Sequence, residues 1–131
     1  MEIIKLKPAF EDERGSIWDF LSDDTIHHSG YLISKKNSIR GKHFHKQQKQ
    51  YTLVLKGIME ISIKNLKDPQ SSIEKYVLHP FDMILIPSLH YHSLMSIEDS
   101  ECIIFTSKSR ANMGYEEDTF RVDDIDSFSL T

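Results

Sequence analysis

The sequence contains 131 residues, of which 39% are hydrophobic and 27% are charged. This is about one domain's worth of chain, and the composition excludes a disordered polyelectrolyte. Because 20 acidic residues outnumber 16 basic residues and leave a net charge of −4, we expect neither DNA nor RNA as a partner. No apolar run approaches the ~20 residues that a membrane span needs, and the N-terminal residues lack the apolar core of a signal peptide. We therefore expect a cytoplasmic chain without a membrane contact.

The apolar residues recur with a period of two, which is typical of half-buried β-strands. The clearest case is residues 58–64, where Met59, Ile61 and Ile63 share one face. In chain order, strands are predicted at residues 16–21, 31–35, 50–55, 58–64, 73–78, 82–86 and 101–106. No segment shows a convincing helical pattern. We therefore predict one all-β domain spanning residues 1–131, closed as a sandwich or barrel, with the jelly roll as the version that can hold a ligand pocket.

The C-terminal stretch, residues 108–131, lacks a clean alternation. Its acidic residues predict a solvated face: Glu116, Glu117, Asp118, Asp123, Asp124 and Asp126. It is nevertheless too apolar for a free tail, because it also carries Tyr115, Phe120, Val122, Ile125 and Phe128. We expect this stretch to be docked on the barrel, as a cap over its mouth or as an interface element.

Two His-x-His pairs, His43 with His45 and His90 with His92, are the strongest chemical signal in the sequence. Side chains two residues apart on a strand point to the same face, so each pair sets two imidazoles side by side. Imidazoles from neighbouring strands can hold a divalent metal such as Fe, Ni, Zn or Cu and leave coordination positions open for substrate. The alternative is that these histidines are hydrogen-bonded core or surface residues without a ligand.

The spacing around both pairs resembles the two motifs of the cupin superfamily. The first motif, at residues 37–57, has two histidines, a position that is glutamate in most metal cupins, and a glycine: His43, His45, Gln50 and Gly57. The second motif, at residues 81–95, has an acid, a proline and a histidine: Asp82, Pro87 and His92. Three positions that carry glycine in these motifs are occupied here by Asn37, Phe81 and Leu89. The resemblance implies a single-domain cupin jelly-roll β-barrel.

A narrower resemblance lies in residues 40–46, which read RGKHFHK, and in residues 12–15, which read DERG. These segments are similar to those of the small cupins that act on nucleotide-linked 4-keto-6-deoxy sugars, the 3,4-ketoisomerases and more distantly the 3,5-epimerases. The tail from Arg110 to Arg121 is similar to that of cupins associated with polysaccharide biosynthesis. The resemblance implies an isomerase or epimerase of bacterial surface-polysaccharide biosynthesis, a nucleotide-sugar substrate and a homodimer.

The same resemblance implies the roles of individual residues. The acid–base groups of the ketoisomerases fall on His45, which would be the base, and on Tyr31, which would protonate or stabilise the oxyanion, with His43 beside them. We expect substrate contacts from Arg40, which would orient the phosphates, and from Arg14, Lys46 and His90. Moving a ketone or inverting the adjacent centre by this proton transfer requires no cofactor.

Two other functions remain open from the sequence. One is a metal-dependent cupin enzyme acting on a small molecule, in which Fe, Ni, Zn or Mn is bound by His43, His45 and His92, with Gln50 as a weak fourth ligand. The other is a non-catalytic sugar-binding cupin. The isomerase requires Tyr31 and His45 without a metal, the metalloenzyme fails with a chelator, and the binding protein survives the loss of Tyr31.

Overall fold

The computed structural model describes residues 1–109 and 114–130, and the regular secondary structure within them is almost entirely β-strand. The strands are β1 (Ile4–Lys5), β2 (Phe10–Asp12), β3 (Gly15–Ile17), β4 (His28–Ser34), β5 (Ile39–Phe44), β6 (Gln50–Lys56), β7 (Met59–Asn65), β8 (Glu74–Leu78), β9 (Asp82–Ile86), β10 (His90–Ser96), β11 (Ser100–Thr106) and β12 (Phe120–Arg121). A single helical turn, α1 (Gly114–Glu117), precedes β12, and a 3₁₀ turn covers Ile125–Ser127. Arg110 and the side chain of Tyr115 lie outside the described residues.

Two five-stranded antiparallel sheets form the barrel, in the orders β1-β9-β6-β11-β4 and β12-β5-β10-β7-β8, and β2 and β3 form a separate hairpin. The core between the sheets takes apolar side chains from both: Val54, Ile84, Ile86 and Cys102 from the first, and Met59, Ile61, Ile63, Leu78 and Leu94 from the second. This burial of alternating residues confirms the predicted all-β jelly roll. Within the described residues, no helix is long and apolar enough to cross a lipid bilayer.

Six of the predicted strands correspond to β4, β6, β7, β8, β9 and β11. The prediction for residues 16–21 is wrong beyond Ile17, where β3 ends. The aromatic residues that follow pack on the outside of the barrel instead: Trp18 stacks on Phe81 with ring centroids 4.1 Å apart, and Phe20 lies 6.3 Å from Phe105. The alternating apolar residues after Ile17 therefore reflect aromatic side chains that pack on the barrel, and not a paired strand.

The C-terminal stretch is docked, as predicted. Strand β12 pairs with β5, with Phe120 opposite Phe44 and Arg121 opposite His43. Val122 is buried with Phe44 and Tyr91 in a second apolar cluster, against which further side chains pack: Leu66, Leu89, Phe120, Ile125 and Phe128. The end of the chain thus covers the outer face of the second sheet and adds an edge strand beside β5.

The three positions where glycine is replaced keep the backbone conformation that glycine favours. Asn37, Phe81 and Leu89 have φ angles of 70°, 68° and 57°. The turns of both motifs are therefore preserved in shape despite the changed residues.

Candidate functional site

Three histidines converge inside the barrel where β5 and β10 run side by side. His92 lies directly opposite His43 in the antiparallel register. The ring centroid of His45 lies 4.8 Å from that of His43 and 5.4 Å from that of His92. One ligand nitrogen of each ring lies within 4.8 Å of those of the other two. The structure therefore places His43 on β5 and His90 and His92 on the neighbouring β10, with His45 just after the end of β5, and it brings three of these four histidines together.

Close approach of the two strands depends on Gly41. The register shifts between His92 and Ser93, where β10 passes Gly41. Gly41 has a φ of 87°, and a Cβ atom at this position would lie 2.9 Å from the carbonyl oxygen of His92. Any larger residue would force the backbone of β5 or β10 to shift beside His92.

Backbone carbonyls set the tautomers of two of these rings. His45 Nδ1 lies 2.7 Å from the carbonyl oxygen of Asp118, and His92 Nδ1 lies 3.1 Å from that of His90. Because a carbonyl only accepts, both Nδ1 atoms donate, and in a neutral ring Nε2 then carries a lone pair. His92 Nε2 is buried and has no hydrogen-bond partner among the described residues.

His92 is held in its neutral form. Complete burial lowers the pKa of His92 well below its usual value of 6.5, and the neighbouring His43 and His45 lower it further. At neutral pH this imidazole is a lone-pair donor rather than a cation.

A cavity of about 370 Å³ opens beside the histidines. Its walls are formed by Leu32, Arg40, Gly41, His43, Gln50, His92, Leu94, Ile104 and Arg121. The Gln50 side chain donates from Nε2 to Thr52 Oγ1 at 3.2 Å, which leaves a second amide N–H. His45 is 3% exposed and is not among the lining residues, whereas His43 is 9% exposed and lines the cavity.

Two arginines line the same cavity. Arg40 donates to Ser34 Oγ at 3.2 Å and to the carbonyl of Ile33 at 3.0 Å, and it lines the cavity beside the histidines. Arg121 comes from the C-terminal segment and stands opposite His43 in the β12–β5 pairing, so both side chains lie on one face. Sequence reasoning missed Arg121 because its position depends on a pairing between segments far apart in the chain.

Asp118 connects the C-terminal segment to the histidine pair. Its carboxylate accepts hydrogen bonds from the backbone N–H groups of Lys46, Gln47 and Gln48, at 2.9 to 3.2 Å. Its carbonyl accepts the bond from His45 described above. Asp118 is 4% exposed, so the prediction of a solvated acidic face is wrong for this residue. The loop after β5 supplies three clustered backbone donors, and a carboxylate satisfies them better than water could at a buried site.

Comparison with protein families gives a match over most of the chain. Residues 10–120 match the model of the polysaccharide biosynthesis C-terminal domain. The chain belongs to this family. No curated protein matches it significantly.

Solved structures share the fold of this polysaccharide biosynthesis domain. A mutant of the 3,4-ketoisomerase QdtA from Thermoanaerobacterium thermosaccharolyticum, in complex with TDP-4-keto-6-deoxyglucose, has a TM-score of 0.73 at 20% identity, over 92% of this chain and 86% of its own. The TDP-fucose-3,4-ketoisomerase WlaRA from Campylobacter jejuni has a TM-score of 0.76 at 18% identity, over 92% of this chain and 88% of its own. The 3,5-epimerase RmlC from Legionella pneumophila, in complex with dTDP-4-keto-L-rhamnose, has a TM-score of 0.77 at 19% identity, over 95% of this chain and 73% of its own. At these identities the similarity establishes the cupin jelly-roll fold.

The polysaccharide biosynthesis domain does not bring Tyr31 to the histidines. Side chains alternate along β4, and Leu32 lines the cavity while Tyr31 is 59% exposed on the outer face. This placement corrects the predicted grouping of Tyr31 with His45, because neighbouring residues of a strand point to opposite faces.

Three of the predicted substrate-binding residues also lie elsewhere. Arg14 is exposed on the β2–β3 hairpin and pairs with Asp12. Lys46 lies outside the barrel, with Nζ 4.4 Å from the centroid of the Phe120 ring. His90 donates from Nδ1 to the carbonyl of Ser88 and faces a separate cavity of about 190 Å³. Of the expected substrate contacts, only Arg40 lines the cavity beside the histidines.

Proposed function

We propose that this protein catalyses proton transfer next to the ketone of a nucleotide-linked keto-deoxysugar, as an isomerase or epimerase of bacterial surface-polysaccharide biosynthesis. The observation that carries the proposal is a cavity lined by the imidazoles of His43 and His92 and by two guanidinium groups, those of Arg40 and Arg121. The family match and the activities named for the three structural neighbours support it.

His43 is the base in this proposal. Of the three clustered histidines it is the most exposed, and it lines the cavity, whereas His45 lies behind it. In a ketoisomerisation His43 removes the proton from the hydroxyl-bearing carbon beside the ketone, and an enediolate forms. The hydroxyl proton passes to the former carbonyl oxygen, and the proton held by His43 returns to the former carbonyl carbon, so that the ketone has moved by one position. The second amide N–H of Gln50 can stabilise the developing oxyanion. Tyr31 has no part, because its side chain lies on the outer face.

A metal-dependent enzyme is the second candidate, and the three-histidine cluster favours it. The residues fit a divalent transition metal: His43, His45 and His92 would hold it, with the Gln50 carbonyl oxygen as the fourth ligand. Carbonyls that bind Nδ1 of His45 and His92 orient the rings as the outer partners of metal-binding histidines do. When bound, such a metal supplies Lewis-acid stabilisation of an oxyanion. In this candidate His43 is a ligand and not the base.

Hydrogen exchange from the sugar tests the proposal. Incubation with TDP-4-keto-6-deoxyglucose in D₂O, followed by NMR, is expected to show deuterium at the carbon beside the ketone. Removing a general base costs about 10²–10⁴ in rate, so His43→Asn should slow this exchange by that factor. His79→Asn is the matched control, because His79 is an exposed histidine. Binding of the nucleotide sugar without any exchange, with or without added metal, would instead establish the non-catalytic sugar-binding cupin.

Metal content separates the two catalytic candidates. The metal-free reaction predicts that protein purified without a His-tag contains no transition metal and keeps its activity in the presence of a chelator. One ion per chain, lost together with activity in His92→Ala and restored by Zn²⁺, Fe²⁺, Ni²⁺ or Mn²⁺ in chelator-treated wild type, would establish the metal enzyme.

A further inference from the structure

A second, larger cavity adjoins the histidine cavity on the outside of the barrel. This C-terminal groove has a volume of about 660 Å³ and is lined by Phe44, Lys46, Thr119, Phe120, Arg121, Phe128, Ser129 and Leu130. Arg121 lines both this groove and the histidine cavity. The two cavities therefore meet at the Arg121 side chain, on the edge strand β12.

The C-terminal groove combines an aromatic floor with positive charge. Phe120 stacks on Phe44 at a centroid distance of 5.3 Å, and Phe128 lies 5.6 Å from Phe44. Lys46 Nζ lies over the Phe120 ring. Arg121 contacts the carboxylate of Glu116 at 3.4 Å, at the long limit of a hydrogen bond. This contact leaves the guanidinium able to turn to a stronger acceptor.

We propose that the C-terminal groove binds the nucleoside diphosphate part of the substrate, with Arg121 at the pyrophosphate and the sugar in the histidine cavity. The inference rests on the proposed function and assigns the nucleotide to residues that the reaction itself does not use. The histidine cavity, at about 370 Å³, is near the small end of ligand pockets, which span roughly 300–1,000 Å³, and the C-terminal groove adds about 660 Å³ beside it. A pyrophosphate carries two negative charges, which the forked guanidinium of Arg121 and the ammonium of Lys46 match. A nucleobase has a flat apolar face, which suits the phenylalanine floor.

One consequence is that the C-terminal segment selects the nucleotide. Apart from Phe44 and Lys46, every lining residue of the groove belongs to residues 119–130. The barrel strands then hold the groups that act on the sugar, whereas the last dozen described residues decide which nucleotide is carried.

Binding of UDP, TDP and inorganic pyrophosphate, measured by titration calorimetry, tests this assignment. Arg121→Gln and Lys46→Ala should each weaken UDP and TDP about tenfold, since each removes a charge-assisted contact. Arg121→Gln should weaken pyrophosphate as well, whereas Phe128→Ala should weaken the nucleotides and leave pyrophosphate unchanged. Lys56→Ala is the matched control, because this exposed lysine pairs with Glu101 on another part of the barrel. Glu116→Gln removes the competing acid and should bind as tightly as wild type or tighter.

The results that overturn the assignment differ from those that overturn the function. Wild-type affinity in both Arg121→Gln and Lys46→Ala, with binding lost in Arg40→Ala, would place the pyrophosphate elsewhere. A wild type that binds neither UDP nor TDP would remove the assignment and the nucleotide-sugar substrate together. The expected binding pattern without any deuterium exchange in the sugar would support the groove and refute the proposed reaction. Circular dichroism of each variant confirms that loss of binding is not loss of fold.

Discussion

At the scale of single residues, Asn37, Phe81 and Leu89 adopt the left-handed backbone conformation at positions that carry glycine in the cupin motifs. Their side chains can make contacts that glycine cannot. This conformation costs a residue with a side chain about 1–2 kcal/mol, with asparagine the most tolerant. Phe81 uses its side chain to stack on Trp18, and Leu89 packs beside the C-terminal cluster. Both replacements therefore exchange local backbone strain for contacts that fix segments outside the barrel.

Asn37 allows the strain to be measured without such contacts, because its side chain is exposed. We expect Asn37→Val to lower the free energy of unfolding by about 1–2 kcal/mol, since a β-branched residue is poorly accommodated at positive φ. Asn37→Gly should cost nothing. Urea unfolding of both variants measures the difference, and equal stability of the two would contradict a left-handed turn at this position.

Asp118 is a second residue whose effect can be isolated. We expect Asp118→Asn to lower the free energy of unfolding by about 1–3 kcal/mol, because buried backbone donors of the loop after β5 lose acceptors. The exposed Asp123→Asn should change it by less than about 0.5 kcal/mol. Urea unfolding provides the comparison, and the two variants behaving alike would mean that the Asp118 contacts contribute nothing.

At the scale of elements, Asp24 connects the segment before β4 to the start of β6, through an ion pair with Lys49 and a hydrogen bond from Tyr51. Asp24 accepts hydrogen bonds from Lys49 Nζ at 2.8 Å and from the Tyr51 hydroxyl at 2.6 Å. These bonds lower the pKa of Asp24 below its usual 3.8, and the bond to Asp24 together with burial raises the pKa of Tyr51 to about 12. The Asp24 contribution to stability is therefore complete above its unfolded pKa of about 3.9 and is lost as the pH falls through its lower folded pKa.

Because of this linkage, we expect the free energy of unfolding of Asp24→Asn to depend on pH differently from that of the wild type. Between pH 5 and pH 2 the free energy of unfolding of the wild type should fall more steeply than that of the variant, because only the wild type loses this carboxylate. On the alkaline side, the contribution of Tyr51 is present below about pH 10 and is lost as the pH rises towards 12. Urea unfolding at a series of pH values measures both slopes, and parallel acid slopes would refute the linkage.

The elements also show which parts of the site could be read from the sequence. The grouping of His43, His45 and His92 was predictable from the spacing of the two cupin motifs, whereas the His-x-His pattern alone did not distinguish His92 from His90, which faces a separate cavity. The direction of Tyr31 was not, since Tyr31, Leu32 and Ile33 are all apolar and a shift of one residue reverses the faces. Arg121 and Asp118 reach the site through the pairing of β12 with β5, which local alternation cannot reveal in a strand of two residues.

At the scale of the whole molecule, β4 is an open edge of the first sheet with apolar residues on its outer face. It pairs with β11 alone among the described strands, and Tyr31 and Ile33 are 59% and 64% exposed. Open edges of this kind are commonly covered by another chain. The structure thus offers a surface for the expected homodimer.

We expect the double variant Tyr31→Ser, Ile33→Thr to shift a dimeric wild type towards monomer while the barrel stays folded. Light scattering after size-exclusion chromatography measures the mass, and near-UV circular dichroism monitors the fold. Lys56→Ala, an exposed change on the same sheet, is the control. A wild type that is monomeric at micromolar concentration, or a variant that stays dimeric, would exclude this edge as the interface.

Strand β12 contains only two residues, so nucleotide binding and the local stability of the C-terminal segment are coupled. The backbone pairing of this strand with β5 consists of two residues and one further bond from the Val122 amide to the Lys42 carbonyl at 2.9 Å. The buried Val122 side chain and the Asp118 carboxylate anchor the same segment. Such a unit can unfold locally while the barrel stays closed. Local unfolding of this segment would remove Arg121 from both cavities and break the hydrogen bond between His45 and the Asp118 carbonyl. It would also remove most of the residues that line the C-terminal groove. A nucleotide in that groove at 100 times its dissociation constant would oppose the opening by about 2.7 kcal/mol. Its presence would therefore slow deuterium exchange at the Val122 amide about 100-fold. Nucleotide binding would thus stabilise the folded C-terminal segment that forms the binding groove.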